Sequence, residues 1–239
     1  MGARFAGKVI VVAGGTGGLG RAVSLAFLEE GARVVVTYWL KEEFDGLERA
    51  AAVFESRLEG HAVDVTNEAQ VNELIDRTVA QHGRLDAMVN AVGGYAGGVN
   101  LWELETRVLD QMLALNLRSG YALSRAAVRA MLKQRHGAIV NVAAKAALDC
   151  PAGAAAYAAS KAAAVALLGS LAAELKGTGV RVNSVLPSII DTEPNRKAMP
   201  KADFSKWPKP EEIARVILFL SSDDAKLVHG AAVPVYGDS

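Results

Sequence analysis

Tyr157 and Lys161 stand four residues apart in the run Ala154-Ala-Ala-Tyr157-Ala-Ala-Ser160-Lys161, with no Gly or Pro between Ala154 and Leu168. Such a run reads as helix interior, and residues four apart on a helix share a face. A free phenol titrates near ~10 and exchanges protons poorly at neutral pH. A cationic amine one turn away stabilises the phenolate and is expected to draw that pKa toward neutrality. The pair is then a proton-transfer device for whatever is bound in front of it. Chance also places a Tyr and a Lys on one helix face, so the elements that would position the pair decide its meaning.

The first such element lies near the start of the chain. Lys8-Val-Ile-Val-Val-Ala13 is a short β-branched run of the kind found in fully buried parallel strands. It leads straight into Gly14-Gly15-Thr16-Gly17-Gly18-Leu19-Gly20 and then a helical pattern at Val23, Leu25, Ala26 and Phe27. Strand, glycine-rich turn and helix start are what a phosphate-binding loop requires, because bare backbone can approach a pyrophosphate and the helix's first N–H groups can receive its charge. A second strand, Ala32 to Thr37, completes a β-α-β unit. In dinucleotide-binding units an acidic residue at the end of this strand holds the ribose hydroxyls of NAD. Here the end reads Thr37-Tyr38-Trp39, with Lys41 beyond. No carboxylate repels a 2′-phosphate and no arginine clamps one, so Lys41 tilts the expectation mildly toward NADP while NAD stays open.

Alternation continues. Glu42–Arg57 reads as helix, Gly60–Val65 as strand, Glu68–His82 as helix and Leu85–Asn90 as strand, followed by Ala91-Val-Gly93-Gly94-Tyr95-Ala-Gly97-Gly98. Leu104–Arg135 is one long helical pattern, Gly137–Val142 and Val180–Leu186 are strands, and Ala232–Tyr236 is a final short one. The expectation is a single α/β domain over 1–239, a Rossmann-type doubly wound parallel sheet with helices on both faces. Ligands of such sheets bind beyond the carboxyl ends of the strands, which places Asp64, Val65, Asn90 and Gly93 along a cofactor's path. Asp64 reads equally as a helix cap. Asn116, inside a helix that disfavours it, is either bonded to a local partner or part of the active site. Asp191–Pro210 carries four prolines with Met199, Phe204 and Trp207 among charges. It is either a substrate lid with apolar walls or a surface loop with a hydrophobic foot.

Composition limits the partners. Lys plus Arg and Asp plus Glu number 26 each, so no net field draws nucleic acid or an anionic membrane. Cys150 is the only cysteine, which rules out an intrachain disulfide and suits a reducing compartment. The four histidines, His61, His82, His136 and His229, have no ligand spacing, so no metal site is expected. The apolar stretch Ala162–Ala173 falls short of the roughly 20 residues of a membrane span, and Met1–Ala6 lacks a leader's charged-then-apolar plan. The expectation is a cytoplasmic protein acting on a small molecule. Because the Tyr157 helix is apolar nearly all round, a second copy is expected to cover it, giving a homodimer or homotetramer.

Taken together, the chain resembles the short-chain dehydrogenase/reductase family over its whole length. Ala13-Gly14…Gly18-Leu-Gly20 resembles the family's T-G-x-x-x-G-x-G turn, Asn90-Ala-Val-Gly93 its N-N-A-G, Tyr157-x-x-x-Lys161 its catalytic pair, and Pro187-Ser188-Ile-Ile190-Asp-Thr192 its P-G-x-x-x-T. The resemblance implies an NAD(P)H-dependent oxidoreductase. Tyr157 gives the proton and Lys161 also binds the nicotinamide ribose. Asn116 orders a water behind the lysine, and Thr192 holds the carboxamide. One position departs. The family's serine stands thirteen residues before the tyrosine, where this chain has Ala144, and such a lost donor costs ~10²–10³ in rate. The quinonoid dihydropteridine reductase subgroup lacks that serine too. Gly93-Gly-Tyr95-Ala-Gly-Gly98, Ala144–Asp149 and Asp191-Thr-x-x-Asn-Arg-Lys-x-Met199-Pro-x-Ala-Asp-Phe-Ser-x-Trp207 all look like it. A quinonoid dihydropterin carries its own polarised C=N system, and Tyr95, Ala144, Met199 and Trp207 would face it. The alternatives are a general aldehyde or ketone reductase with weakened catalysis, and a nucleotide-binding protein that has lost catalysis.

Overall fold

The computed structural model describes residues 3–239. Met1 and Gly2, the start of the stretch read above for a leader, lie outside the described residues. The strands are β1 (Val9–Ala13), β2 (Arg33–Tyr38), β3 (Leu58–Ala62), β4 (Ala87–Asn90), β5 (Gly137–Val142), β6 (Val180–Pro187) and β7 (Ala232–Val235). They form one parallel sheet in the order β3-β2-β1-β4-β5-β6-β7. The helices are α1 (Gly18–Glu29), α2 (Lys41–Ala50), α3 (Glu68–His82), α4 (Thr106–Leu113), α5 (Ser119–Gln134), the single turn α6 (Ala146–Asp149), α7 (Ala155–Glu174), α8 (Glu193–Ala198) and α9 (Pro210–Ser221). This is the α/β, doubly wound Rossmann-type architecture expected from the alternation of patterns.

Successive strand side chains point to opposite faces, and β1 shows the result. Ile10 and Val12 join Phe27 of α1, Leu47 of α2 and Ile217 of α9 in one core. Val11 and Ala13 join Ile75 of α3, Met131 of α5 and Leu168 of α7 in the other. A strand covered on both faces has no polar side to show, which is why β1 reads as an unbroken apolar run. The strand order reverses between β1 and β4, and a crevice opens there at the carboxyl edge.

Several boundaries move. The helical pattern of Leu104–Arg135 is broken into α4 and α5 by a π-helical turn, Ala114–Arg118, that carries Asn116. The Glu42–Arg57 pattern ends as a helix at Ala50 and continues as a tighter 3₁₀ segment, Ala52–Arg57. β3 pairs Val34 with Leu58 and stops at Ala62, so Asp64 and Val65 lie past the strand. The Asp191–Pro210 segment holds α8 and a 3₁₀ turn, Phe204–Lys206. Finally, α7 is 20 residues, long and apolar enough by length and composition to cross a membrane. The twelve-residue reading above was short because the Tyr157 turn belongs to the same helix. Its inner side, including Ala164, Leu168 and Ala172, packs into the domain.

Candidate active site

At the carboxyl edge of the sheet a cavity of about 770 Å³ gathers residues from distant parts of the chain. Leu19 comes from α1, Gly93 and Tyr95 from the segment after β4, and Ala143, Ala144 and Asp149 from the β5–α6 segment. Tyr157 and Lys161 come from α7, Pro187 and Ile190 from the end of β6, and Met199 from beyond α8. Tyr157 and Lys161 thus open into one space.

Lys161 is buried, and its Nζ donates to the carbonyl of Val142 at the end of β5, 2.9 Å away. Asn116, also buried, is bonded on all sides. Its Oδ1 accepts the Gly94 N–H at 2.9 Å, and its Nδ2 donates to the Gly94 carbonyl and to Ser160 Oγ, both at 3.0 Å. Ser160 Oγ in turn donates to the Tyr157 carbonyl at 2.8 Å. Gly93 sits where these meet. A Cβ there would come within 2.8 Å of Lys161 Nζ and 2.9 Å of Asn116 Oδ1, so any other residue would have to displace the lysine ammonium or the Asn116 amide. The neighbour-bonded reading of Asn116 is the one observed, and those neighbours belong to the site.

The electrostatics correct one expectation. The Tyr157 phenol is not drawn toward neutrality. Burial, reinforced by the adjacent Tyr95, pushes it up to about 12. The ring of Tyr95 meets that of Tyr157 edge-on at 5.0 Å between centroids. Burial also lowers Lys161 to about 8, because a charged amine loses its hydration there. The phenol is consequently held protonated, the state required of a proton donor.

The glycine turn is shaped for close backbone approach. A Cβ on Gly20 would lie 1.9 Å from the Gly14 carbonyl oxygen, and one on Gly15 would lie 2.5 Å from Val36 Cγ1. Gly14 N–H donates to Thr37 Oγ1 and Gly15 N–H to the Thr37 carbonyl, pinning the turn to β2. Gly17 precedes α1 without any side-chain cap, so the first N–H groups of that helix remain available to an anion. These features fit a dinucleotide's pyrophosphate. Thr192 lies against Gly18, where a Cβ would meet its methyl at 2.8 Å. Its Oγ1 caps α8 by accepting the Asn195 N–H.

Other residues expected along the cofactor's path lie outside the cavity lining. Asn90 is turned into the sheet, where its Nδ2 donates to Asn141 Oδ1 at 2.9 Å and its Oδ1 accepts the Val92 N–H. It joins the ends of β4 and β5 and does not line the cavity. Val65 is buried in the α3/α5/α7 core. Asp64 accepts from the N–H and hydroxyl of Thr66, while Asn67 caps α3; Asp64 is a loop brace and not the cap. Tyr38 stacks on Phe44 at 4.9 Å, and Trp39 is exposed. Thr16 donates to Glu43 at 3.0 Å, and Lys41 pairs with Asp45. The expectation for Trp207 as a cavity wall is also corrected. Trp207 is buried against Phe204, ring centroids 4.9 Å apart, and the residues of the 191–210 segment that line the cavity are Asn195, Ala198 and Met199.

Sequence reasoning assigned no role to Lys145, Asp149, Ser188 or Ile189, which also line the cavity. The one available signal was position: the stretch from Ala144 to Asp149 leaves the end of β5, where ligands of such sheets bind.

A pyrophosphate-shaped glycine turn, with a half-buried Tyr157 and a buried Lys161 opening into one cavity at the same sheet edge, defines a nucleotide-dependent oxidoreductase. Residues 8–203 match the family model described as short chain dehydrogenase. The chain is 33% identical over 242 residues to the 3-oxoacyl-[acyl-carrier-protein] reductase FabG of Thermotoga maritima, covering 98% of each. Its fold is similar to that of ElxO with NADP bound (TM-score 0.91, 29% identity, 96% and 97% of the two chains). It is likewise similar to NAD⁺-bound xylitol dehydrogenase (TM-score 0.90, 25% identity, 98% and 99%). The chain belongs to the short-chain dehydrogenase/reductase family and is an NAD(P)-dependent oxidoreductase.

Proposed function

We propose that the protein reduces a small, flat, conjugated C=N or C=O compound, with quinonoid dihydropterin as the specific substrate. The observation that carries this reading is Ala144. It is buried and lines the cavity with a methyl group where a carbonyl-polarising hydroxyl is expected, so the substrate must bring its own polarisation. Apolar walls at Ala143, Ala144 and Met199, with the exposed ring of Tyr95 nearby, suit a planar ring system.

NAD(P)H, when bound, supplies the hydride. The Gly14–Gly20 turn would hold its pyrophosphate, and Lys161, Pro187, Ile190 and Thr192 its nicotinamide end. Tyr157, kept neutral by burial, donates the proton to the substrate nitrogen or oxygen. Lys161 places a positive charge beside the phenolate this leaves. Asn116 fixes Gly94 and Ser160 around the pair, and the apolar walls exclude water. For the cofactor we infer a small preference for NADPH: no carboxylate ends β2, but Lys41 is already shared with Asp45.

The test follows cofactor absorbance with NADPH or NADH against quinonoid dihydropterin and a ketone panel. Pterin turnover should fall by about 10²–10⁴ in Tyr157→Phe with cofactor binding retained. Cofactor binding without turnover of any substrate would overturn the reading in favour of a catalytically impaired nucleotide-binding protein. Ala144→Ser should raise ketone turnover more than pterin turnover. Equal gains would assign the site to ordinary ketones.

A further inference from the structure

Besides Lys161, the charged side chains lining the cavity are Lys145 and Asp149. Lys145 is shared among several partners. Its Nζ donates to the Ser239 carbonyl at 3.1 Å and lies 5.0 Å from the centre of the Tyr236 ring. Asp149 forms a loose i,i+4 ion pair with that ammonium at 3.8 Å, beyond hydrogen-bond distance, and its side chain is 51% exposed, which leaves its oxygens open to N–H donors. Among the described residues it is the one side-chain carboxylate on the cavity wall, and the proton-transfer network does not use it.

The backbone fixes this carboxylate with some strain. Asp149 ends α6, and Cys150 turns the chain with φ 46°, a left-handed conformation that a non-glycine residue adopts at a cost. The chain then passes Pro151, another wall residue, to Gly153, whose carbonyl accepts the N–H groups of Gly98 at 2.8 Å and Val99 at 3.4 Å. The loop bearing Asp149 is thereby fastened to the loop bearing Tyr95. One presents a carboxylate and the other an aromatic ring to the same cavity.

An ionised carboxylate only accepts hydrogen bonds, and its two oxygens match two parallel N–H donors. An aromatic face beside it suits a flat ring. We propose that Asp149 is a specificity-determining residue that accepts paired N–H donors from the amidine-like edge of a planar heterocycle, such as the aminopyrimidinone of a pterin. The proposal rests on the reductase reading above for the reaction but names a different contact, made by a residue outside the Tyr157–Lys161–Asn116 network.

Binding, measured by calorimetry on the protein saturated with NADP⁺, separates the two. The probes are pterin and lumazine, which differ in that lumazine has a carbonyl in place of pterin's 2-amino group. Pterin should bind at least about 10-fold more tightly, as for a hydrogen bond to a charged group, and Asp149→Asn, which preserves size, should erase the difference. Equal affinities in the native protein, or a preference that survives Asp149→Asn, would overturn the assignment. Turnover of quinonoid dihydropterin is scored separately. No turnover with the preference intact sinks the pterin reductase reading and leaves Asp149 standing, whereas turnover without the preference does the reverse. Failure of pterin to bind, with or without lumazine, also overturns the Asp149 assignment.

Discussion

Lys161 carries the largest electrostatic cost in the site. Its ammonium is buried and its pKa falls from the ordinary 10.5 to about 8. Between those values the unfolded chain binds the proton that the folded chain has released, so stability rises with pH across that window. Below pH 8 the folded protein carries the full penalty of a buried charge, on the order of 3 kcal/mol. Lys161→Met should therefore unfold at a higher temperature than the native protein at pH 7. That advantage should shrink as pH rises from 8 toward 10.5 in calorimetric scans, while activity is lost throughout. In the native protein, reductive kcat/KM should decline as pH rises through about 8, where the Lys161 ammonium in the same cavity is titrated. Tyr157, titrating near 12, adds no second limb below that. A profile flat to pH 10 would separate the lysine's charge from catalysis.

Among the elements, the π-helical turn between α4 and α5 does the positioning. It swings Asn116 inward to bond both polar groups of Gly94 and the hydroxyl of Ser160. Asn116→Ala would leave those buried groups without partners, at roughly 1–3 kcal/mol. The urea midpoint should fall with unchanged slope, and turnover should fall more than cofactor affinity. The sequence showed that Asn116 was out of place in a helix but not where it pointed. One extra residue in a turn leaves the 3.6-residue periodicity on either side intact, so Leu104–Arg135 read as a single helix. Strands were the most legible elements, because a run such as Val9–Ala13 must be apolar on both faces. The glycine turn and the Tyr157–Lys161 pair were legible because their spacing is local. The side-chain directions of Asn90, Val65 and Trp207 were not legible for the opposite reason: each is near a motif in the chain, but the side of the backbone it faces is set by packing partners far away. The tie between the Tyr95 and Asp149 loops, made through Gly98 and Gly153, joins segments some fifty residues apart and leaves no sequence pattern.

For the whole molecule, the outer side of α7 calls for a partner. Ala159, Ala166, Gly169 and Ala173 are exposed along it, and Val165 and Leu167 are half-buried. Apart from Ser170 this surface offers water nothing polar before Glu174. Small residues also allow close approach of another helix. We propose that a second copy covers it, as a homodimer or homotetramer. Sedimentation equilibrium should give a mass of two or four chains, and Ala166→Glu should shift it toward one. A native monomer at micromolar concentration would refute this.

The strand order also bears on how the chain must emerge from the ribosome. β1 is made first but lies near the middle of the sheet, and the neighbour on its far side, β4, follows more than seventy residues later. Until Asn90 has been synthesised, one side of an entirely apolar β-strand has open backbone donors and acceptors. An open edge of this kind invites pairing with other nascent chains. Translation that stalls shortly before β4 should therefore yield insoluble fragments, and release just after it should yield chains that can cover that edge themselves.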